Sequence, residues 1–158
     1  MANQAVLVIG VGTRYRKDDA AGLTVAEGLR TRLSAEVTLV EHEGEGVALM
    51  ERLQGWQAAI LIDAMSSGAR RGTIRRFEAK THPLPAAIFR HSSHALSVAH
   101  AIELGRALEW LPQHLVVFGI EGGDFGAGMP LSPEVESSVP EVVRRVLEEI
   151  RTIQEGPQ

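Results

Sequence analysis

The chain is expected to fold as an α/β three-layer sandwich, with helices on both faces of a mostly parallel, twisted sheet of about five strands. Short β-rich apolar runs stand at 5–10, 37–41, 58–62 and 114–119, each bounded by glycine, polar or charged residues. Segments of helical period separate these runs, the rhythm that right-handed crossovers between parallel strands produce. The length of 158 residues, 44% of them hydrophobic, is enough to fill one core, so a single domain spanning 1–158 without a linker is expected.

Taken in order, Ala5-Val-Leu-Val-Ile-Gly10 reads as the first strand and closes in the glycine turn Gly10-Val-Gly12. A helix beginning near Asp18 follows, with Val25, Leu29, Leu33 and Ala26 on one stripe, and a shorter helix covers 46–54. Gly72-Thr-Ile-Arg-Arg-Phe-Glu78 is polar and two-faced, which suits an edge strand of either direction. Ala95–Leu108 is apolar on most sides and reads as a helix packed on the sheet, with Ser92 or Ser93 as its N-cap and His100 in its packing face. Gly122–Gly128 is a glycine-rich loop, a candidate mobile element, and equally readable as a long surface connection. The last helix carries Val142, Val143, Val146, Leu147, Ile150 and Ile153; Pro140 suits its first turn, and Ser132-Pro133 reads as a separate single turn before it.

Composition removes several function classes. The formal net charge is −4 and the charges are mixed, so there is no basic footprint for nucleic acid. The chain has no cysteine, which excludes disulfides, thiolate catalysis and Cys-ligated zinc or iron–sulfur sites; any metal must be held by oxygen and imidazole. No apolar run approaches the length of a membrane span and no signal segment is evident, so a cytoplasmic location is the default expectation.

In a doubly wound sheet, ligands sit at the carboxyl ends of the strands. Three polar residues fall there: Asp19 after the first glycine turn, Asp63 closing Ala58-Ala-Ile-Leu-Ile-Asp, and His94 in His91-Ser-Ser-His94. Each has an ordinary structural reading beside it. Asp18 and Asp19 suit a helix cap and a first-turn acid, of which Asp18 fits the cap and Asp19 a ligand. Asp63 suits a carboxylate bonded to loop amides such as those of Ser66 and Ser67, and His94 a hydrogen-bonded structural imidazole, with His91 in reserve. Together, two carboxylates and one imidazole at one sheet edge suit a borderline divalent ion such as nickel, zinc, iron or manganese. A nucleotide site is the alternative: Glu41 and Glu43 resemble a ribose-binding acid, but the third fingerprint glycine is replaced by Tyr15, and Asp18-Asp19 would repel a phosphate.

The segments Val6-Leu-Val-Ile-Gly-Val-Gly12, Asp18-Asp-Ala-Ala-Gly22, Leu61-Ile-Asp-Ala64, Ser93-His-Ala-Leu96, Gly119-Ile-Glu-Gly122 and Leu131-Ser-Pro-Glu-Val135 are those by which the chain resembles the nickel-iron hydrogenase maturation endopeptidases, from about Ala5 to Ile150. Two positions depart from the family pattern: Thr13 stands where asparagine is usual, and the Asp-Gly-Gly-Thr-x-Gly element stands as Glu43-Gly-Glu-Gly46 with altered neighbours. The resemblance implies a metal site of Asp19, Asp63 and His94, and removal of a C-terminal extension from a hydrogenase large-subunit precursor after nickel insertion. Nickel is then brought by the precursor and marks its loaded state, other divalent ions being acceptable in vitro. Water activation by the metal or by a carboxylate such as Asp19 are both open, and a nickel-recognising chaperone that does not cleave is a further alternative.

Overall fold

The computed structural model describes residues 5–89 and 97–156. One five-stranded sheet is built from β1 (Val6–Val11), β2 (Val37–His42), β3 (Ala58–Met65), β4 (Ile74–Glu78) and β5 (His114–Glu121) in the order β2-β1-β3-β5-β4. The strands pair in parallel except β4, which runs antiparallel along β5 and so forms the edge whose direction the sequence left open. Four helices, α1 (Ala21–Leu29), α2 (Gly46–Leu53), α3 (Val98–Ala107) and α4 (Pro133–Glu155), complete the three layers.

Alternation along the strands divides the core. Val6, Val8, Ile60, Ile62, Val116 and Phe118 face α1 and α4, whereas Leu7, Ile9, Leu61, Met65, Leu115 and Val117 face α2 and α3. Because helices cover both faces, β1, β3 and most of β5 are buried throughout, which is why they read as continuous apolar runs. β3 and β5 extend to Met65 and Glu121, past the ends expected at Ile62 and Gly119, because the carboxylates that follow lie within the sheet.

Helix α1 rests on the sheet through glycine. A Cβ on Gly22 would collide with the carbonyl oxygens of Ile62 and Val11, so α1 touches the backbones of β1 and β3 directly. Gly22→Ala therefore forces that interface apart, and overpacking outweighs the helix propensity gained. We expect a net loss of about 2 kcal/mol, read as a lower urea midpoint with an unchanged slope.

Three helix expectations are corrected. α4 is continuous from Pro133 to Glu155 with Pro140 inside it, rather than a single turn followed by a helix opening at Pro140. Val135, Val142, Val146, Ile150 and Ile153 form one buried stripe through that point, and packing along it outweighs the one backbone bond proline removes; Pro133 takes the favourable first position. α3 starts at Val98 with Ser97 as its N-cap, not Ser92 or Ser93. His100 is exposed rather than packed, and its Nδ1 accepts the Ser97 N–H at 3.1 Å.

The antiparallel edge is fastened to α4 by charge. Arg76 donates two bonds to the Glu149 carboxylate at 2.9 and 3.1 Å, and His114 Nε2 lies 2.9 Å from the same group. Burial pushes the Glu149 carboxyl up, but Arg76 and His114 outweigh it and hold it below its ordinary value.

Candidate functional site

The sheet order places β1 and β3 side by side, while α1, which follows β1, packs on one face and α3, which follows β3, on the other. Above the carboxyl ends of these two strands lies the topological switch point, where a crevice forms for geometric reasons. The turn after β1 enters a single 3-10 turn, Lys17–Ala20, that carries Asp19 over the crevice. β3 delivers Asp63 to the same place from within the sheet.

Asp19 and Asp63 line one cavity, with Val11, Gly12, Glu43, Gly44, Phe89 and Val98 completing its described walls. The cavity measures ≈ 10 Å³, room for about one water-sized occupant. Asp19 is 2% and Asp63 5% exposed. A backbone N–H orients each carboxylate: Thr13 donates to Asp19 Oδ2 at 3.0 Å, and Ala64 donates to Asp63 Oδ1 at 2.8 Å. The Thr13 bond comes from the main chain, so the exchange of asparagine for threonine there leaves it intact. Gly12 is required by the same turn, since a Cβ at that position would collide with the Asp19 carbonyl oxygen.

His94 and His91 lie outside the described residues. Among the described residues, no three histidine, aspartate or glutamate side chains form a group that could hold a metal ion. What is described is a pair of buried carboxylates at one small cavity, with Glu43 beside them. Hard oxygen donors enclosing a space of that size suit a single divalent cation, and an imidazole would complete a borderline-metal set. They also suit general acid–base work, for which two neighbouring buried carboxylates are a common arrangement.

Asp18 is not a helix cap, contrary to expectation. It is fully buried and accepts four hydrogen bonds from across the chain: Gly123 N at 2.9 Å, Asp124 N at 3.0 Å, Ser132 N at 2.7 Å and Ser132 Oγ at 2.6 Å. Burial pushes its carboxyl up, but these donors outweigh the effect and hold it below its ordinary value of 3.8. The pair thus divides its work, Asp19 at the cavity and Asp18 tethering the glycine-rich loop. That loop is tied further by Lys17 Nζ to Asp124 at 2.9 Å and by the Arg16 guanidinium to the Phe125 carbonyl at 3.3 Å.

Two other expectations are revised. The amides near Asp63 that were candidate partners serve other groups: Ser67 donates through N and Oγ to Glu121, and Ser66 N donates to the Ile88 carbonyl. Glu121, 2% exposed at the end of β5, is a buried carboxylate that the sequence reading passed over, although the rule that singled out Asp63 applies to it equally. Glu41 is ion-paired with Arg14 at 2.5 Å and Arg30 at 2.6 Å, so it is not set out for a ribose. Glu43, the other acid of that alternative, lines the Asp19–Asp63 cavity, which has no space for a nucleotide. Among the described residues no helix is long and apolar enough to cross a membrane.

Known proteins resemble the chain over most of its length. The hydrogenase expression/formation protein HupD of Thiocapsa roseopersicina is 26% identical over 148 residues, 90% of this chain, and the chain spans 66% of that relative's length. A solution structure of an endopeptidase from Escherichia coli superimposes with a TM-score of 0.81 at 25% identity, covering 93% of this chain and 92% of that one. The hydrogenase maturating endopeptidase HybD from E. coli superimposes with a TM-score of 0.78 at 22% identity, covering 93% and 92%. The family model HycI, hydrogenase maturation protease, matches residues 23–149, a stretch that takes in Asp63 and His94. The chain therefore belongs to the hydrogenase maturation protease family.

Proposed function

We propose that this protein is an endopeptidase that removes the C-terminal extension of a nickel-iron hydrogenase large-subunit precursor after nickel has been inserted. Asp19, Asp63 and His94 are the residues assigned to it: the two acids, with the histidine, hold the metal that the precursor brings and position the scissile bond. Family membership supports the reaction class. The observation that carries the site is the pair of buried carboxylates sharing one ion-sized cavity at the switch point.

The chain's own residues have separable tasks in this reading. Backbone N–H groups of Thr13 and Ala64 fix the two carboxylates before substrate arrives, so little reorganisation is needed on binding. The apolar walls Val11, Phe89 and Val98 limit the water around them and strengthen their attraction for a cation. A carboxylate in such surroundings also accepts a proton from an attacking water. A bound divalent metal would supply Lewis acidity at the scissile carbonyl. Glu43 adds negative charge at the rim.

Intact-mass measurement of the precursor's C-terminus tests the proposal. After incubation with this protein the nickel-loaded precursor is expected to be shortened and the empty precursor to keep its full mass. A loaded precursor that binds but is never shortened would leave a chaperone and sink the protease. A second expectation concerns the isolated protein: Ni²⁺ at about 100 times its Kd stabilises the wild type by about 2.7 kcal/mol, whereas Asp63→Ala shows no shift in the same thermal melt. NAD at matching concentration is expected to leave both curves in place.

A further inference from the structure

The cavity of Asp19 and Asp63 continues into a second depression along Gly12–Arg14, with which it shares Gly12 and Glu43. That depression in turn shares Arg14 and Leu23 with a groove of ≈ 270 Å³ between the start of α1 and the Gly128–Leu131 segment. The three adjoin one another around the 12–15 turn. We propose that the groove at its far end is an exosite that grips an extended segment of the substrate polypeptide, through an apolar side chain adjacent to a lysine or arginine.

The apolar half of this specificity is carried by Tyr15 and Met129, 67% and 68% exposed, which line the groove together with the buried Leu23. Tyr15 stands in a strained stretch of backbone. Tyr15 and Lys17 have φ of 65° and 47°, a left-handed conformation that side chains rarely adopt and that costs about 1–3 kcal/mol per residue. Lys17 N to the Gly128 carbonyl at 3.1 Å and Gly128 N to the Tyr15 carbonyl at 2.7 Å hold the two banks together in that form. Strain kept in order to leave an aromatic side chain in water is a mark of a contact surface.

The basic half follows from charge. The two cations lining the groove are already matched, Arg14 by Glu41 at 2.5 Å and Lys17 by Asp124 at 2.9 Å. Its two carboxylates, Glu27 and Glu136, are exposed and have no ion pair among the described residues. A basic side chain laid along the groove meets two unmatched acids, and an acidic one is repelled.

This inference rests on the endopeptidase reading only for the identity of the polypeptide. Its test combines calorimetric titration of the nickel-loaded precursor with processing kinetics, for the wild type, Tyr15→Ser with Met129→Ser, and Glu27→Lys with Glu136→Lys. Both double variants are expected to weaken Kd and raise KM by about tenfold, with kcat within about twofold of wild type and an unchanged melting curve. The deficit of the charge variant alone is expected to shrink as salt is raised. Unchanged Kd and KM in both variants, or a fall in kcat at constant KM, would overturn the exosite while cleavage by the wild type stood. Binding without shortening by the wild type would instead sink the endopeptidase reading, and the Kd comparison would still decide the groove. Absence of binding by the wild type overturns both.

Discussion

Replacing Asp18 with alanine is expected to lower stability by about 3–5 kcal/mol, as much as truncating a large side chain of the core. The carboxylate is the common acceptor for Gly123 N, Asp124 N, Ser132 N and Ser132 Oγ, all at 3.0 Å or less. Its removal strands the two buried Ser132 donors and frees the part-buried N–H groups of Gly123 and Asp124, so the 122–132 connection loses its attachment to the turn after β1. In a chain of this size the melting temperature falls by roughly 10 °C or more. Asp18→Asn keeps the shape but offers one acceptor oxygen and an NH₂ among donors, so it is expected to recover only part of the loss. The pH dependence has a definite sign. A carboxyl held below its ordinary value in the fold stabilises it above the unfolded value near 3.8, and that stability disappears as pH falls through the folded value. The wild type is therefore expected to lose stability on acidification below about pH 4, and Asp18→Asn to lose less over the same window. Equal acid slopes in the two proteins would mean that Asp18 is not the group responsible.

Alanine at Asp63 or Asp19 is expected to reverse that pattern, with activity lost and stability kept. Under the proposed function each substitution lowers precursor processing by at least about a hundredfold, measured as the rate of mass loss from the precursor. Each carboxylate is buried at a small cavity that the other and Glu43 also line, the kind of site where stability is given up for function. Removing one is therefore expected to leave the melting temperature about unchanged. Glu43→Gln, at the rim, should give a smaller loss. A triple variant at Asp19, Asp63 and His94 that still trimmed the precursor would end the assignment.

Most of the sheet was legible because it is covered on both faces: burial demands unbroken apolar runs, and β1, β3 and β5 stand where those runs stand, while the half-buried edge β2 stands at its shorter run. Strand ends were less legible for one physical reason. Asp63 and Glu121 look like residues that terminate a strand, yet both are buried within one, because a backbone N–H or a serine supplies what water would have. Pro140 and His100 failed differently, through long-range packing and a local cap that no periodicity records. At the site, the rule about strand ends led to Asp19 and Asp63, which do meet at one cavity. It set Asp19 apart from Asp18 but gave Asp18 the role of a helix cap, because its true partner, Ser132, arrives from more than a hundred residues away.

The sheet's outermost strands set a boundary on how a partner chain is recognised. β4 presents Arg75, Arg76 and Glu78 and is only five residues long, and β2 ends in Glu41 and His42. Short borders studded with ionic side chains discourage a foreign strand from zipping on. Under the proposed function, a substrate tail is accordingly expected to be steered away from main-chain pairing along either margin, so that discrimination between one tail and another falls to side-chain chemistry at the loops.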